Sequence, residues 1–152
     1  MAPWRPVHDG WATAVPSWHS GRVTSVTIVE ETVILVTREV LARAVADSRR
    51  WRAWWPDLQV RVLVDRGIEG MGWSVTGPLV GTTEVRLEQQ GAAVVVRYRL
   101  SADPTTPGSR TSPRTIPDSP RGRRELDNLR RRQAMAWKRT VWALKDEFET
   151  GV

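Results

Sequence analysis

The side chains that could carry out acid–base or metal chemistry are few in this sequence, and their spacing does not favour it. Glu30 and Glu31 are adjacent in an apolar run that predicts a β-strand, so their carboxylates should point to opposite faces. His8 and His19 lie eleven residues apart in a segment without periodicity and have no third ligand nearby. The chain has no cysteine, which excludes disulfides, thiolate metal sites and thiol nucleophiles. We therefore predict no metal site, no cofactor and no recognisable catalytic constellation.

A glycine-rich stretch, Gly67 to Gly72, could suggest a phosphate-binding loop. It lies between two predicted antiparallel strands and not at a strand-to-helix junction, so its glycines are expected to form turns. The sequence thus predicts no nucleotide site.

Length and hydropathy limit the class of protein. With 152 residues, of which 40% are hydrophobic, the chain can bury one good core. No apolar run approaches the roughly 18 residues of a membrane span, and the first 20 residues lack the apolar centre of a signal peptide. We expect a protein of the cytoplasm, with residues 1–22 as an irregular or disordered leader, residues 23–149 as one domain, and a flexible proline-rich loop at 102–120.

The strand signals follow one another as an antiparallel meander. Val26 and Ile28 alternate with polar residues, and around Glu30 and Glu31 the apolar phase changes to Val29, Val33 and Leu35, which predicts a β-bulge. Four further strands should follow. Their inward residues are expected to be Leu58, Val60, Val62 and Val64, then Met71, Trp73 and Val75, then Leu79, Thr83, Val85 and Leu87, and finally Val94, Val96, Tyr98 and Leu100.

Helical patterns separate the first strand from the others and end the chain. Thr37 can cap a first helix, and a second short helix carrying Trp51, Trp54 and Trp55 should end before Pro56. Three tryptophans in five positions cannot all lie on one helical face, so at least one should face a cavity or a loop. After Ser119 and Pro120, a long terminal helix is predicted by the stripe Leu126, Leu129, Gln133, Trp137, Val141, Leu144 and Phe148.

The net charge of +6 is concentrated near the C-terminus. Residues 1–104 contain 12 arginines and 11 acidic residues, whereas residues 105–152 contain 11 basic and 6 acidic residues. A basic surface of this kind can meet nucleic acid, the ribosome or anionic lipid, and it can equally be a solvated helix face. The candidate residues are Arg121, Arg123, Arg124, Arg130, Arg131 and Arg132.

Three segments resemble the START-like helix-grip proteins, the SRPBCC superfamily that includes polyketide cyclase/dehydrase and lipid-transport-like proteins. The run from Val36 to Pro56 resembles the end of their first strand and the two helices after it. The Gly81 to Leu100 hairpin and the terminal helix resemble the end of the fold. The resemblance implies an α+β fold in which a curved antiparallel sheet of five to seven strands wraps around a long C-terminal helix. It also implies an apolar or amphipathic small molecule bound between sheet and helix.

Three functions remain open at this point. The first is binding of a lipid-like or polyketide-like molecule, with the ligand-binding residues expected to be Trp55, Trp73, Val75, Thr83, Tyr98, Gln133, Trp137 and Val141. The second is a cyclase or dehydratase, which would need a base on the inner face. We predict no carboxylate or histidine there, unless a register shift of one residue turns Glu84 or Arg97 inward. The third is interaction with a ribosome, nucleic acid or protein through the basic segment.

Overall fold

The computed structural model describes residues 24–150, and its elements follow the predicted order. Five strands are β1 (Val26–Ile34), β2 (Gln59–Asp65), β3 (Gly70–Thr76), β4 (Leu79–Gln90) and β5 (Ala93–Pro104). Three α-helices are α1 (Arg38–Ala46), α2 (Ser48–Trp54) and α3 (Pro120–Thr150), and a short 3-10 helix covers Gly67–Glu69. The predicted helix-grip architecture with five strands and a long terminal helix is confirmed.

The strands form one antiparallel sheet in the order β1-β5-β4-β3-β2. Opposed residues of neighbouring strands point to the same face. Tyr98 lies opposite Glu30 and Val85, and Leu100 opposite Ile28 and Thr83. This register defines an inner face that turns toward α3 and an outer face on the other side of the sheet.

Local sequence accounts for the helices around this sheet. Thr37 occupies the N-cap position of α1 in an extended conformation, and α1 buries Leu41, Ala44 and Val45. Asp47 ends α1 and accepts a hydrogen bond from the backbone N–H of Arg49, so the same residue begins α2. The C-cap of α2 is Trp55, directly before the proline that prevents its continuation.

Two details of the strands differ from the prediction. Pairing of β1 with β5 is continuous from Val26 to Ile34, so the bulge predicted at Glu30 is wrong. Val29, Val33 and Leu35 are 50–60% exposed, because they lie on the outer side of an edge strand. The register shift occurs instead in β2, between Val62 and Val64, and it moves Val64 away from the face of Val62.

The segment between β5 and α3 is hydrogen-bonded to the end of the sheet. The loop predicted from residue 102 begins only after Pro104, because Ala102 and Asp103 still pair within the sheet. Beyond it, Thr105 donates its backbone N–H to the carbonyl of Pro78, and Gly77 donates to the carbonyl of Arg110. The leader predicted at residues 1–22 lies outside the described residues, as do His8 and His19.

Within residues 24–150, no helix combines the length and the apolar character needed to cross a membrane.

Candidate functional site

The residues predicted to line a ligand site are all buried between the sheet and α3. Their positions come from β3, β4 and β5 on one side and from α2 and α3 on the other. At most 9% of any of these residues is exposed: Trp55, Trp73, Val75, Thr83, Tyr98, Gln133, Trp137 and Val141. The alternation on the strands and the 3–4 spacing on α3 therefore bring the predicted set together.

Six aromatic side chains form a connected group at the centre of this interior, which we call the aromatic cluster: Trp51, Trp54, Trp55, Trp73, Tyr98 and Trp137. Tyr98 and Trp137 are stacked with ring centroids 4.0 Å apart and planes 8° from parallel. The ring centroids of Trp55 and Trp73 are 4.9 Å apart. Those of Trp54 and Trp137 are 6.3 Å apart, and these two rings meet edge to face. The rings therefore pack against one another and connect β3 and β5 with α2 and α3.

Sequence reasoning placed four members of the aromatic cluster in the site and missed Trp51 and Trp54. Trp51 makes an edge-to-face contact with Trp73, at 5.4 Å between centroids. Trp54 contacts both Trp55 and Trp137. The expectation that Trp51, Trp54 and Trp55 cannot share one helical face is wrong, because positions three and four apart lie on the same face. The WxxWW spacing was the signal that could have placed all three in the site.

The polar atoms of the aromatic cluster fall into two groups. The indole N–H of Trp51 donates to the carbonyl of Val45 at 2.8 Å, and that of Trp55 donates to the Tyr98 hydroxyl at 3.4 Å. The indole nitrogens of Trp73 and Trp137 are also buried, yet neither has an acceptor among residues 24–150. Buried polar atoms are nearly always hydrogen-bonded, so two unsatisfied donors in one cluster are unusual.

The Tyr98 hydroxyl is held in its neutral form. Burial raises the pKa of Tyr98 above its ordinary value, and hydrogen bonds with Thr83 and Trp55 offset only part of that effect. Thr83 also donates its hydroxyl to the carbonyl of Arg99 at 2.9 Å, which fixes its side chain. A neutral phenol can donate to, and accept from, a molecule that reaches it.

This environment predicts how Tyr98 titrates. It is the only tyrosine in the chain, so tyrosinate absorbance in the near ultraviolet reports on this residue alone. The raised pKa means that the folded protein keeps the proton above pH 10, where the unfolded chain loses it, so stability should fall as the pH rises beyond 10. We expect tyrosinate to appear together with unfolding measured by circular dichroism. Ionisation of Tyr98 in the folded protein at or below pH 10 would contradict this environment. The Tyr98→Phe variant cannot form tyrosinate and is the control for the absorbance measurement.

A groove between α2 and α3 lies directly outside the aromatic cluster. It has a volume of about 350 Å³, and its lining includes Trp54, Ala136, Thr140 and Leu144. Trp54 both lines the groove and contacts Trp137, so its ring connects the groove with the rest of the aromatic cluster. We call this depression the α2–α3 groove.

One edge of the α2–α3 groove is closed by an ion pair between the two helices. Arg50 of α2 donates two hydrogen bonds to the carboxylate of Glu147 on α3, at 2.8 and 2.9 Å. The guanidinium of Arg50 also lies 5.9 Å from the centroid of the Phe148 ring. This pair lowers the pKa of Glu147, chiefly through the hydrogen bond from Arg50.

Carboxylates occur on both faces of the sheet, whereas the sequence predicted none on the inner face. Glu30 lies on the inner face opposite Tyr98, so the prediction that no carboxylate faces inward is wrong. Glu31 points outward and pairs with Arg97 at 2.9 Å, which confirms the opposite orientation of the two glutamates. Glu30 lines a separate groove of about 380 Å³ between β1 and α3, together with Asp127, Arg130 and Arg131.

The register shift that would have turned Glu84 or Arg97 inward does not occur. Glu84 lies opposite Arg99 and Gly72 on the outer face, where it accepts a hydrogen bond from Arg66 at 3.0 Å. Burial raises the pKa of Glu84, and the neighbouring arginines only partly oppose this effect. Glu84 and Arg97 each form ion pairs on the outer face: Glu84 with Arg66 and Arg86, and Arg97 with Glu31 and Glu88.

The predicted basic residues lie on the exposed side of α3. Arg123 is paired with Asp118, and Arg130 with Asp127. For the other four, the described part of the chain offers no ion-pair partner: Arg121, Arg124, Arg131 and Arg132. They face solvent, on the opposite side of the helix from Gln133 and Trp137.

Comparison with solved structures identifies the fold. No protein-family model matches the chain, and no curated protein sequence matches it. Among solved structures, the Aha1 dimer from Colwellia psychrerythraea is similar with a TM-score of 0.52 at 15% identity, covering 83% of this chain and 98% of that one. A protein from Deinococcus radiodurans has a TM-score of 0.55 at 13% identity, with the same coverage.

A third solved structure carries the superfamily name. A START superfamily protein from Mycobacterium smegmatis is similar with a TM-score of 0.51 at 10% identity, covering 83% of this chain and 99% of that chain. Together with the five-stranded sheet and the long α3, these similarities show that the chain has the START-like helix-grip fold.

Proposed function

We propose that this protein binds a flat, apolar or amphipathic small molecule that carries a hydrogen-bond acceptor, such as a carbonyl group. The molecule would occupy the aromatic cluster and the α2–α3 groove outside it. The single observation that carries the proposal is the pair of buried indole donors, on Trp73 and Trp137, without acceptors among residues 24–150.

The energetics of those donors favour a ligand with an acceptor. A buried donor left without a partner costs about 1–3 kcal/mol, and a ligand oxygen placed beside it recovers that cost. The Tyr98 ring is stacked on Trp137, so its neutral hydroxyl belongs to the same interior and is a second polar group available to a ligand there. The aromatic faces supply apolar contact area, while hydrogen bonds from the indole N–H and phenol groups would fix the orientation of the ligand.

We expect the ligand to enter the aromatic cluster past the side chain of Trp54. Its helix, α2, has only seven residues, which is too short to be stable on its own. The helix is held to α3 partly by the exposed Arg50–Glu147 ion pair, which contributes little in water. A modest displacement of α2 would move Trp54 and join the α2–α3 groove to the interior, so ring rearrangement is the step that admits the ligand.

Filling the α2–α3 groove tests the proposal. The probe is prodan, a flat naphthalene ketone whose emission shifts to the blue in apolar surroundings. Ala136→Leu places a larger side chain in the groove, and we expect roughly tenfold weaker prodan binding with an unchanged melting temperature. The matched control is Ala134→Leu, on the same helix and equally half-buried, which lines the β1–α3 groove instead.

Two results would count against this assignment. If Ala136→Leu and Ala134→Leu bind prodan equally well, the probe does not enter through the α2–α3 groove. If the unchanged protein binds no prodan at all, an acceptor-bearing aromatic molecule is the wrong ligand class. A melting temperature measured for each variant separates lost binding from lost folding.

The sequence also left open a cyclase or dehydratase, and no observation in the described residues favours that reaction over binding. Glu30 is the one inner-face carboxylate of β1, and it lines the groove between β1 and α3 with Arg130 and Arg131. Tyr98 retains its proton because of burial. Binding is therefore the function that these contacts support best.

A further inference from the structure

The exposed face of α3 combines basic residues with large apolar ones. Trp142 is 62% exposed and Met135 is 50% exposed. They lie seven residues apart, so they occupy nearly the same angular position on the helix, two turns from each other. Trp142 and Met135 are thus two large apolar side chains on the solvent side of α3, and Trp142 makes no ring contact with the aromatic cluster within the described residues.

Two rows of cations flank these apolar residues. Arg124, Arg131 and Lys138 recur every seven residues along one side, and Arg132 and Arg139 follow the other side. All are exposed, and residues 24–150 provide no ion-pair partner for any of them. From Arg124 to Trp142 the surface extends about 27 Å along the helix at 1.5 Å per residue. We call this surface the α3 ridge.

We propose that the α3 ridge binds the surface of an anionic lipid bilayer, with Trp142 and Met135 inserted among the headgroups. Tryptophan is favoured at membrane interfaces, and arginine and lysine beside it pair with lipid phosphates. The helix would lie on the membrane and not cross it, in agreement with the absence of a spanning helix among the described residues. This inference goes beyond the proposed ligand binding and does not depend on it.

The shape and charge of the ridge favour a bilayer over other partners. A second copy of the chain would present the same positive face and be repelled. Single-stranded nucleic acid needs aromatic platforms for base stacking, whereas the ridge offers one tryptophan beside a methionine. A bilayer accepts both apolar side chains along the length of the helix and neutralises the cations on either side.

Vesicle sedimentation with the full-length protein tests the proposal. The probes are vesicles of phosphatidylcholine alone and vesicles containing phosphatidylglycerol. Each basic residue near an anionic surface contributes about fivefold to partitioning. Arg124→Gln combined with Arg131→Gln should therefore weaken binding to the anionic vesicles roughly 25-fold. The control, Arg43→Gln combined with Arg61→Gln, removes the same charge from exposed sites off the ridge and should change binding little.

The apolar part of the ridge has its own test. Trp142→Ala should weaken binding to the anionic vesicles at least severalfold, whereas Leu35→Ala, at a residue 60% exposed on the sheet side, should not. Equal binding by all four variants, or equal sedimentation with neutral vesicles, would overturn the proposal. Binding of a labelled single-stranded RNA that is lost in the Arg124 and Arg131 variant, without vesicle binding, would assign the ridge to nucleic acid instead. Prodan binding is unaffected by either outcome, so the two proposals fail separately.

Discussion

Trp137→Ala is expected to lower the free energy of unfolding by about 3–5 kcal/mol, the range for removing a large aromatic side chain from a core. Trp137 is 2% exposed, stacks on Tyr98 and contacts Trp54. Its removal would leave a cavity at the centre of the aromatic cluster, where the sheet and α3 cannot close without moving. Chemical denaturation followed by circular dichroism measures the change.

The matched control for this substitution lies five residues further along the same helix. Trp142→Ala makes the same chemical change at a residue that is 62% exposed, so stability should change by no more than about 0.5 kcal/mol. Similar losses in both variants would contradict the aromatic cluster as the origin of the effect, because only Trp137 belongs to it and alanine is the better helix former at both positions. A small loss in Trp137→Ala alone would show that the interior is loosely packed.

Gly81→Ala is expected to prevent folding or to destabilise the protein severely. A Cβ atom built on Gly81 would lie 2.1 Å from the carbonyl oxygen of Ser101 and 2.6 Å from the Cα of Ala102. Both are backbone atoms of β5, which cannot move aside because β5 is paired on both edges. The added methyl group would therefore force β4 and β5 apart at the end that is joined to the loop after β5.

Expression and thermal melting measure this effect, with Thr82→Ala as the control. Thr82 is the next residue of β4, is half-buried and points to the outer face opposite Ser101. We expect Thr82→Ala to fold with a melting temperature near that of the unchanged protein. A Gly81→Ala protein that melts within a few degrees of it would contradict the close approach of the two strands.

The fold could be predicted from sequence because its periodic signals are long and regular. Alternation from Leu79 to Leu100 determined a hairpin around Gly91, and the 3–4 spacing through Trp137 determined α3 and its buried side. These signals depend on neighbouring residues only. The same patterns placed Trp73, Tyr98 and Trp137 in one interior, as the structure confirms.

The errors arose where apolar residues occupy both faces of an edge strand. Val29 and Val33 were interpreted as inward, but both are exposed. Strand β1 pairs only with β5, and α3 covers only the inner face, so side chains on its outer face stay in solvent. The register shift in β2 has no local signal, since Val62, Leu63 and Val64 are all apolar. The α2–α3 groove could not be predicted, because it depends on how two helices far apart in sequence meet at Arg50 and Glu147.

The most direct test of the proposed function follows the indole N–H groups of Trp73 and Trp137 in a proton–nitrogen NMR spectrum while prodan is added. Trp73→Phe and Trp137→Phe assign the two signals, and Trp142 serves as an internal reference on the exposed side of α3. We predict that at least one of the two buried signals shifts downfield as its proton finds the ketone oxygen, while that of Trp142 does not move. Saturation with prodan that leaves both buried signals unchanged would contradict ligand recognition by the aromatic cluster.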